Sequence, residues 1–580
     1  MGERVWVWAP RAGRVDVQVG DELIEMHRED RGYWAAEVEV DLSVVPYGFR
    51  LDGGEMRPDP RAQRQPQGVH GPSFRVRHEE FSWSDAGFQQ LPLSSAVIYE
   101  LHIGTFTETG TCDSARERLG YLADLGITHV ELMPVAAASG RRGWGYDGVD
   151  LFAPHESYGG PAALKRFVNA AHAHGLAVII DVVYNHLGPE GNYLREFGPY
   201  FTDRYKTPWG EAVNLDGPGS DEVRRFFIDN AVMWLSDYHA DGLRIDAVHA
   251  FYDTSARHFL EELGSEVRSL ERRMGRRFVA IAESDLNDPR VVRSTEAGGF
   301  GLDAQWSDDF HHSLHALVTG ERWGYYGDYG AVSQVAYALE RTFVFDGRYQ
   351  GTRDRRHGRP AVDLPPERFL GYIQNHDQVG NRAQGRRLGH LAGIELQKVA
   401  AAVYLLAPFV PMVFQGEEWG ASTPFLYFTD HEDADLAEAV RRGRTEEFSF
   451  QTQDIPDPQS PETAGASVLR WDERSRQPHA DVLAWYRQLL RLRRSVPEVA
   501  AGGRANLVTD YDEAKKTLVL RWGDVCLLCN FSEAETQVRL PYEKGTLEVL
   551  AESSGHSEAR PVVGGRCSIG ATSALVGRLR

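Results

Sequence analysis

The stretch Asp241-Gly-Leu-Arg-Ile-Asp-Ala-Val-His-Ala250 sets two opposite charges two residues apart. Read as a strand over Gly242–Asp246, it turns Leu243 and Ile245 to one face and Arg244 and Asp246 to the other. An ion pair at a strand end would satisfy that spacing. So would a carboxylate kept ionised by its arginine neighbour and aimed into a cleft, which is a nucleophile suited to a sugar carbon. Similar polar endings recur after other apolar runs. Asp181-Val-Val-Tyr-Asn-His186 supplies His186, and Ala280-Ile-Ala-Glu-Ser-Asp285 supplies Glu283. Asn375-His-Asp-Gln-Val-Gly-Asn381 supplies His376 and Asp377. Retaining glycoside hydrolysis needs such a set: an ionised carboxylate, a protonated carboxyl that alternates as acid and base, and donors around the sugar ring. Asp246 beside Arg244 is the nucleophile candidate. Glu283 emerges from Phe278-Val-Ala-Ile-Ala282, surroundings that raise a carboxyl pKa, and is the acid/base candidate. Asp377 is the third carboxylate, and His186 and His376 are placed to bond the same sugar. Asp181 reads as a loop anchor.

To bring these residues to one rim, the chain needs parallel strands ending together. Eight β-rich runs alternate with helical stretches: Val97–Ile103, Thr128–Leu132, Ala177–Val182, Gly242–Asp246, Phe278–Ala282, Leu302–Trp306, Phe369–Gln374 and Met412–Gln415. Amphipathic segments such as Ala162–His174 and Val223–His239 lie between them. The pattern predicts an α/β fold, a (β/α)8 TIM barrel over residues 91–494, with functional side chains at the C-terminal ends of its strands. A long excursion over residues 187–221 follows the third strand. Residues 1–90 alternate apolar and polar between Gly and Pro breaks and predict an N-terminal β-sandwich of Ig-like kind. Residues 495–580 return to that alternation and predict a C-terminal β-sandwich.

At 580 residues the chain exceeds one compact core. A net charge of −21 argues against nucleic acid or an acidic membrane as partner. No apolar run reaches membrane-spanning length, and with no long apolar stretch in Met1–Pro10 no export signal is expected. Four cysteines are too few for a disulfide framework, and a cytoplasmic location is expected. Cys526 and Cys529 have zinc-like spacing, yet they lie in a strand pattern with no second pair close by. The 13 Trp and 23 Tyr are a generous supply of flat apolar faces for sugar rings.

The stretches DVVYNH, GLRIDAVHA, AESD and NHDQVGN, at residues 181–186, 242–250, 282–285 and 375–381, resemble the four motifs of the α-amylase superfamily of glycoside hydrolases. Trp144-Gly-Tyr-Asp-Gly-Val-Asp150 is similar to its segment after the second strand, which implies that Tyr146 stacks on the sugar. Within the superfamily, Ala282–Arg290, Gly301–His315 and Tyr325–Gly330 resemble the malto-oligosyltrehalose trehalohydrolases. That resemblance implies cleavage of the α-1,4 bond joining trehalose to a maltooligosaccharide, with maltooligosyl trehalose as substrate and trehalose as product. Many amylases carry Lys-His just beyond the nucleophile; here the positions are His249 and Ala250, which implies a different site on the leaving-group side. Asp308, Asp309 and Phe310 are further substrate-binding candidates, amid aromatics that include Trp306, Trp323, Tyr325 and Tyr326. No metal or cofactor is expected: Asp147 and Asp150 match no calcium loop. A monomer is expected. A glycogen branching enzyme, or a debranching enzyme, would share the catalytic set. A catalytically dead binding barrel should lack one of Asp246, Glu283 and Asp377, and all are present.

Overall fold

The computed structural model describes residues 2–448, 455–500, 506–541, 543–555 and 558–580. Eight strands close into a parallel barrel: β1 (Ile98–Leu101), β2 (His129–Leu132), β3 (Ala177–Val182), β4 (Gly242–Ile245), β5 (Val279–Ala282), β6 (Ala304–Trp306), β7 (Phe369–Gly371) and β8 (Val410–Phe414). Every neighbouring pair is parallel, and β8 pairs with β1 to complete the ring. All eight runs expected from sequence form barrel strands. Several are shorter than the apolar pattern, because the first and last residues of a run enter turns before the ladder begins or after it ends.

The two-residue period of the strands divides each into an inner and an outer row. Ile98, Ile179, Val279, Ile281, Ala304, Trp306, Leu370, Tyr372, Val410 and Met412 pack together inside the barrel. Tyr99, Leu101, Val130, Leu132, Val178, Ile180, Leu243, Ile245, Ala280 and Ala282 belong to the larger core under the helices. The inner row explains where the polar groups go. Glu100 follows Ile98 by two residues, Asp181 follows Ile179, and Glu283 follows Ile281. On β4 the inner row is Gly242, Arg244 and Asp246. Gly242 has no room for a side chain, since a Cβ there would lie 2.4 Å from Val279 Cγ2.

Helices Gly160–Ala173 and Ser220–Ser236 cover the barrel beside β3 and β4. The excursion after β3 is ordered: it carries an antiparallel hairpin, Phe201–Thr207 with Gly210–Val213. N-terminal to the barrel, a three-stranded sheet (3–8, 33–38, 27–28) and a four-stranded sheet (22–25, 15–19, 47–51, 56–57) pack around Val5, Val7, Val15, Val17, Trp34 and Phe49. The connecting segment is anchored to the barrel. His172 of the helix after β2 lies 2.8 Å from both Asp85 and Asp241, and Gln90 donates to the carbonyls of Asp241 and Arg277.

The tail is one continuous antiparallel sheet of eight strands rather than two separately bonded ones. It curls over a core drawn from all but its first strand, including Val519, Leu528, Val538, Leu547, Val562, Ile569 and Leu575. Cys526 lies in that core while Cys529 faces the barrel side, so the zinc-like pair points to opposite faces of one strand. All four cysteines are buried, and burial pushes the Cys526 thiol up to about 12.

Candidate active site

Arg244 sits at the centre of the rim with no exposed surface, its guanidinium 4.4 Å from the Trp306 ring centre. Nη1 donates to Asp246 Oδ1 at 2.7 Å and to both oxygens of Asp181 at 2.8 and 2.9 Å. Nη2 lies 3.0 Å from Glu283 Oε2. One cation on β4 therefore joins carboxylates from β3, β4 and β5. Their exposure differs in a useful way: the side chains of Asp246, Glu283 and Asp377 are 10, 14 and 35% exposed, while Asp181 is 1% exposed. The three carboxyls read as catalytic keep solvent access, and Asp181 has almost none.

The chain turns sharply after Asp246. Ala247 adopts φ 40°, ψ 52°, a left-handed conformation costly for a residue with a Cβ. That turn aims the Ala247 N–H at Glu283 Oε2, 2.7 Å away. Asp246 and Glu283 are thus linked twice, through Arg244 and through the backbone next to Asp246. Burial raises Glu283 above the ordinary carboxylate range, with the nearby Arg244 charge pulling the other way and Asp246 adding to the rise. This is the direction a general acid needs. Asp308, at the end of β6, accepts a hydrogen bond from Tyr372; burial, reinforced by Glu283, pushes it up to about 8.

Tyr146 packs between Asp181 and His376. Its hydroxyl donates to Asp181 Oδ2 at 2.7 Å and lies 2.8 Å from His376 Nε2, and its ring stacks on the His376 ring at 5.0 Å and 23°. Burial pushes Asp181 up to about 7, while Arg244 works to keep it charged. His186 is bonded within the chain at both nitrogens, to Asn185 Oδ1 and to the Tyr146 carbonyl, and burial holds it down to about 4. Trp209, at the tip of the hairpin, stacks over that imidazole at 4.7 Å and 6°. His249 lies at the rim, 3.9 Å from Asp285 Oδ1, and Asp285 is paired with Arg353 at 2.8 Å.

Two candidates do not face the cleft. The Asp309 carboxylate is taken up by the Tyr329 hydroxyl and by the N–H groups of Val344 and Phe345. Phe310 is wholly buried against Phe409 behind the barrel wall. Both lie on helix Asp308–Thr319, where each step rotates the side chain by about 100°. Asp308 faces the site, so its two successors turn away. Of these aromatics, Trp306 and Tyr326 are buried, while Trp323 and Tyr325 are exposed.

Sequence reasoning missed Glu100, whose two oxygens both bond His376. It missed Glu131 as well, a buried carboxyl on β2 with no hydrogen-bond partner and a raised pKa, owing first to burial and then to Glu100. Both are charged residues inside short apolar strands, and that was the available signal. Among the described residues, one histidine–carboxylate group converges closely enough to hold a cation, His70, Glu190 and Glu432. Its Glu190 already accepts the N–H groups of Glu432 and Asp433.

Residues 94–208 match the family model described as alpha amylase, catalytic domain. A malto-oligosyltrehalose trehalohydrolase from Arthrobacter ramosus is 50% identical over 523 residues, covering 89% of this chain and 90% of the relative. A 1,4-alpha-glucan branching enzyme from Pseudoalteromonas atlantica is 29% identical over 59% of the chain. Among solved structures, the crystal structure titled putative alpha amylase from Salmonella typhimurium superposes with a TM-score of 0.90 at 38% identity, covering 100% of this chain and 97% of the other.

Proposed function

The chain belongs to the malto-oligosyltrehalose trehalohydrolase family, and we propose that it hydrolyses the α-1,4 bond next to the trehalose end of maltooligosyl trehalose with retention of configuration. The substrate is supported by the named relatives. The chemistry is supported by one observation above all: Asp246 and Glu283, from adjacent strands, share Arg244, and Glu283 is bonded by the backbone N–H that follows Asp246. Two carboxyls tied to one guanidinium and one turn suit a double displacement, in which the pair stands closer than inversion requires.

In the first step Asp246 attacks the anomeric carbon as the bond from that carbon to the trehalose oxygen breaks. Glu283 gives its proton to that oxygen, and trehalose leaves. The second step uses water: Glu283, now ionised, takes its proton as its oxygen displaces Asp246 from the same carbon. The maltooligosaccharide is released and both carboxyls return to their starting states. Asp377, with Asn381 donating to it at 3.1 Å, is the ring-hydroxyl contact in this reading. Tyr146 stacks on the ring, His376 supports Tyr146, and Asp308 and His249 face the leaving trehalose.

Maltotriosyl-trehalose is the discriminating substrate. The expected products are trehalose and maltotriose in equal amounts. A branching enzyme shares the carboxylates but passes the glycosyl group to a glucan hydroxyl; branched glucan without free trehalose would overturn the assignment.

A further inference from the structure

We propose that Glu100, in the middle of β1, is a positioning residue whose carboxylate grips His376 at two points and so fixes the support of Tyr146. The inference rests on the sugar-site reading for its effect on rate, but not for the contact itself. Glu100 is 1% exposed. Its Oε2 accepts the backbone N–H of His376 at 3.0 Å, and its Oε1 accepts the ring Nδ1–H at 2.5 Å. One side chain from β1 thereby holds both the main chain and the ring of the residue preceding Asp377.

The other face of the ring follows from counting protons. Tyr146 has a single hydroxyl hydrogen, and it goes to Asp181 Oδ2 at 2.7 Å. Asp181 is itself an acceptor, bonded through both oxygens to Arg244. While Arg244 keeps Asp181 ionised, the 2.8 Å contact between Tyr146 and His376 Nε2 takes its hydrogen from Nε2. With Nδ1 donating to Glu100, both ring nitrogens carry hydrogens and His376 is an imidazolium. The charged and titratable groups around it agree in sum. Burial opposes the charge, as does Arg244 on β4, and His102 faces it from the end of β1. Asp377, whose Oδ1 lies 3.5 Å from Nε2, and Glu100 outweigh them and hold His376 up to about 9. Glu131 on β2 and Asp181 on β3 complete the surroundings. A chain of donors runs from Nε2 through Tyr146 to Asp181, with Glu100 as its anchor at the Nδ1 end.

The test begins with the wild-type protein, labelled with 15N at histidine, with His376 assigned by difference from His376→Gln. Both ring nitrogens should be protonated at neutral pH, with deprotonation only in the alkaline range. A neutral ring in the wild type at neutral pH overturns the proposal whatever any variant does. Glu100→Gln keeps the shape but cannot accept at both atoms, because its amide nitrogen is a donor. It should leave His376 neutral at neutral pH and lower kcat about 10- to 100-fold, taking as a guide the scale found for hydrogen-bond partners of metal-bound histidines. KM should change less, and a fall from loss of the His376 charge should appear in the rate profile at lower pH than the alkaline fall set by Glu283. A purely structural Glu100 predicts lost stability with the histidine signals and pH profile unmoved, and that result would also sink the idea. Absence of trehalose release, with the histidine doubly protonated, would count against the function and leave the clamp standing.

Discussion

Glu283 has to hold a proton although Arg244 Nη2 lies 3.0 Å from its Oε2. Burial makes this possible by penalising the ionised form more than one shared cation favours it. Activity should therefore fall as pH rises through the elevated pKa of Glu283, since the leaving oxygen then finds no proton. Glu283→Gln should reduce kcat by at least about 10²-fold, the lower end for a general acid, while binding survives. A rate profile measured with both proteins checks it, and unchanged turnover in the variant would defeat the acid/base role. Arg244 carries the opposite burden. Removing it leaves Asp181, Asp246 and Glu283 clustered without the cation that is paired with all three. Arg244→Met should cost about 3–5 kcal/mol in denaturant unfolding, the range for breaking a buried ion pair from one side. A loss below about 1 kcal/mol would mean that the carboxyls simply take up protons instead.

At the scale of elements, the end of β8 presents a second buried carboxyl pair, away from the reacting groups. Glu417 and Glu418 are both inaccessible to solvent. Tyr404 and Tyr486 both donate to Glu417 Oε1, at 2.6 and 2.9 Å, while its Oε2 has no partner. Burial pushes Glu417 up to about 8, with both tyrosines opposing the rise. A folded-state pKa above the unfolded value gives stability that is complete below the ordinary carboxylate range. It is lost as pH rises toward about 8. Glu417→Gln keeps an oxygen for both tyrosines and cannot ionise. The variant should match the wild type near pH 5 and melt a few degrees higher at about pH 9. Thermal melts across that range test it; an equal or lower melting temperature at the alkaline end contradicts the buried-acid account.

Across the whole molecule, the tail sheet is tied to the barrel at a helix end. Both oxygens of Glu513 accept the N–H groups of Val332 and Ser333, at 3.0 and 3.1 Å, opening helix Val332–Arg341. These are the groups a helix cannot satisfy internally, and the cap comes from another sheet. Helix Ile394–Leu406 packs beneath tail strands Val525–Asn530 and Ser573–Leu579, and Lys398 donates to the Ser553 carbonyl. Glu513→Ala should cost about 1 kcal/mol, the usual value of a lost cap. It should also speed hydrogen exchange at Val332 and Ser333. Exchange unchanged at those amides would show that the sheet merely rests there.

The residues themselves determined the eight-strand alternation and the polar positions at the strand ends, because a strand's period of two is a local property. Arg244 and Asp246 share a face for that reason alone, and Glu283 stands at the end of an apolar run whatever surrounds it. Which groups meet across the barrel is not local. Glu100 and His376 are 276 residues apart, and only closure of β8 onto β1 brings the first strand against the end of the seventh. Rotation about a helix is equally invisible in a string of letters: Asp308 faces the cleft while Asp309 and Phe310 point elsewhere, because the helix starts at Asp308 in one particular orientation. The chain's pattern names the strands and the acids at their tips. Packing decides which acid has a cation, which has a proton, and which holds its neighbour in place, since those outcomes depend on distance and burial rather than order.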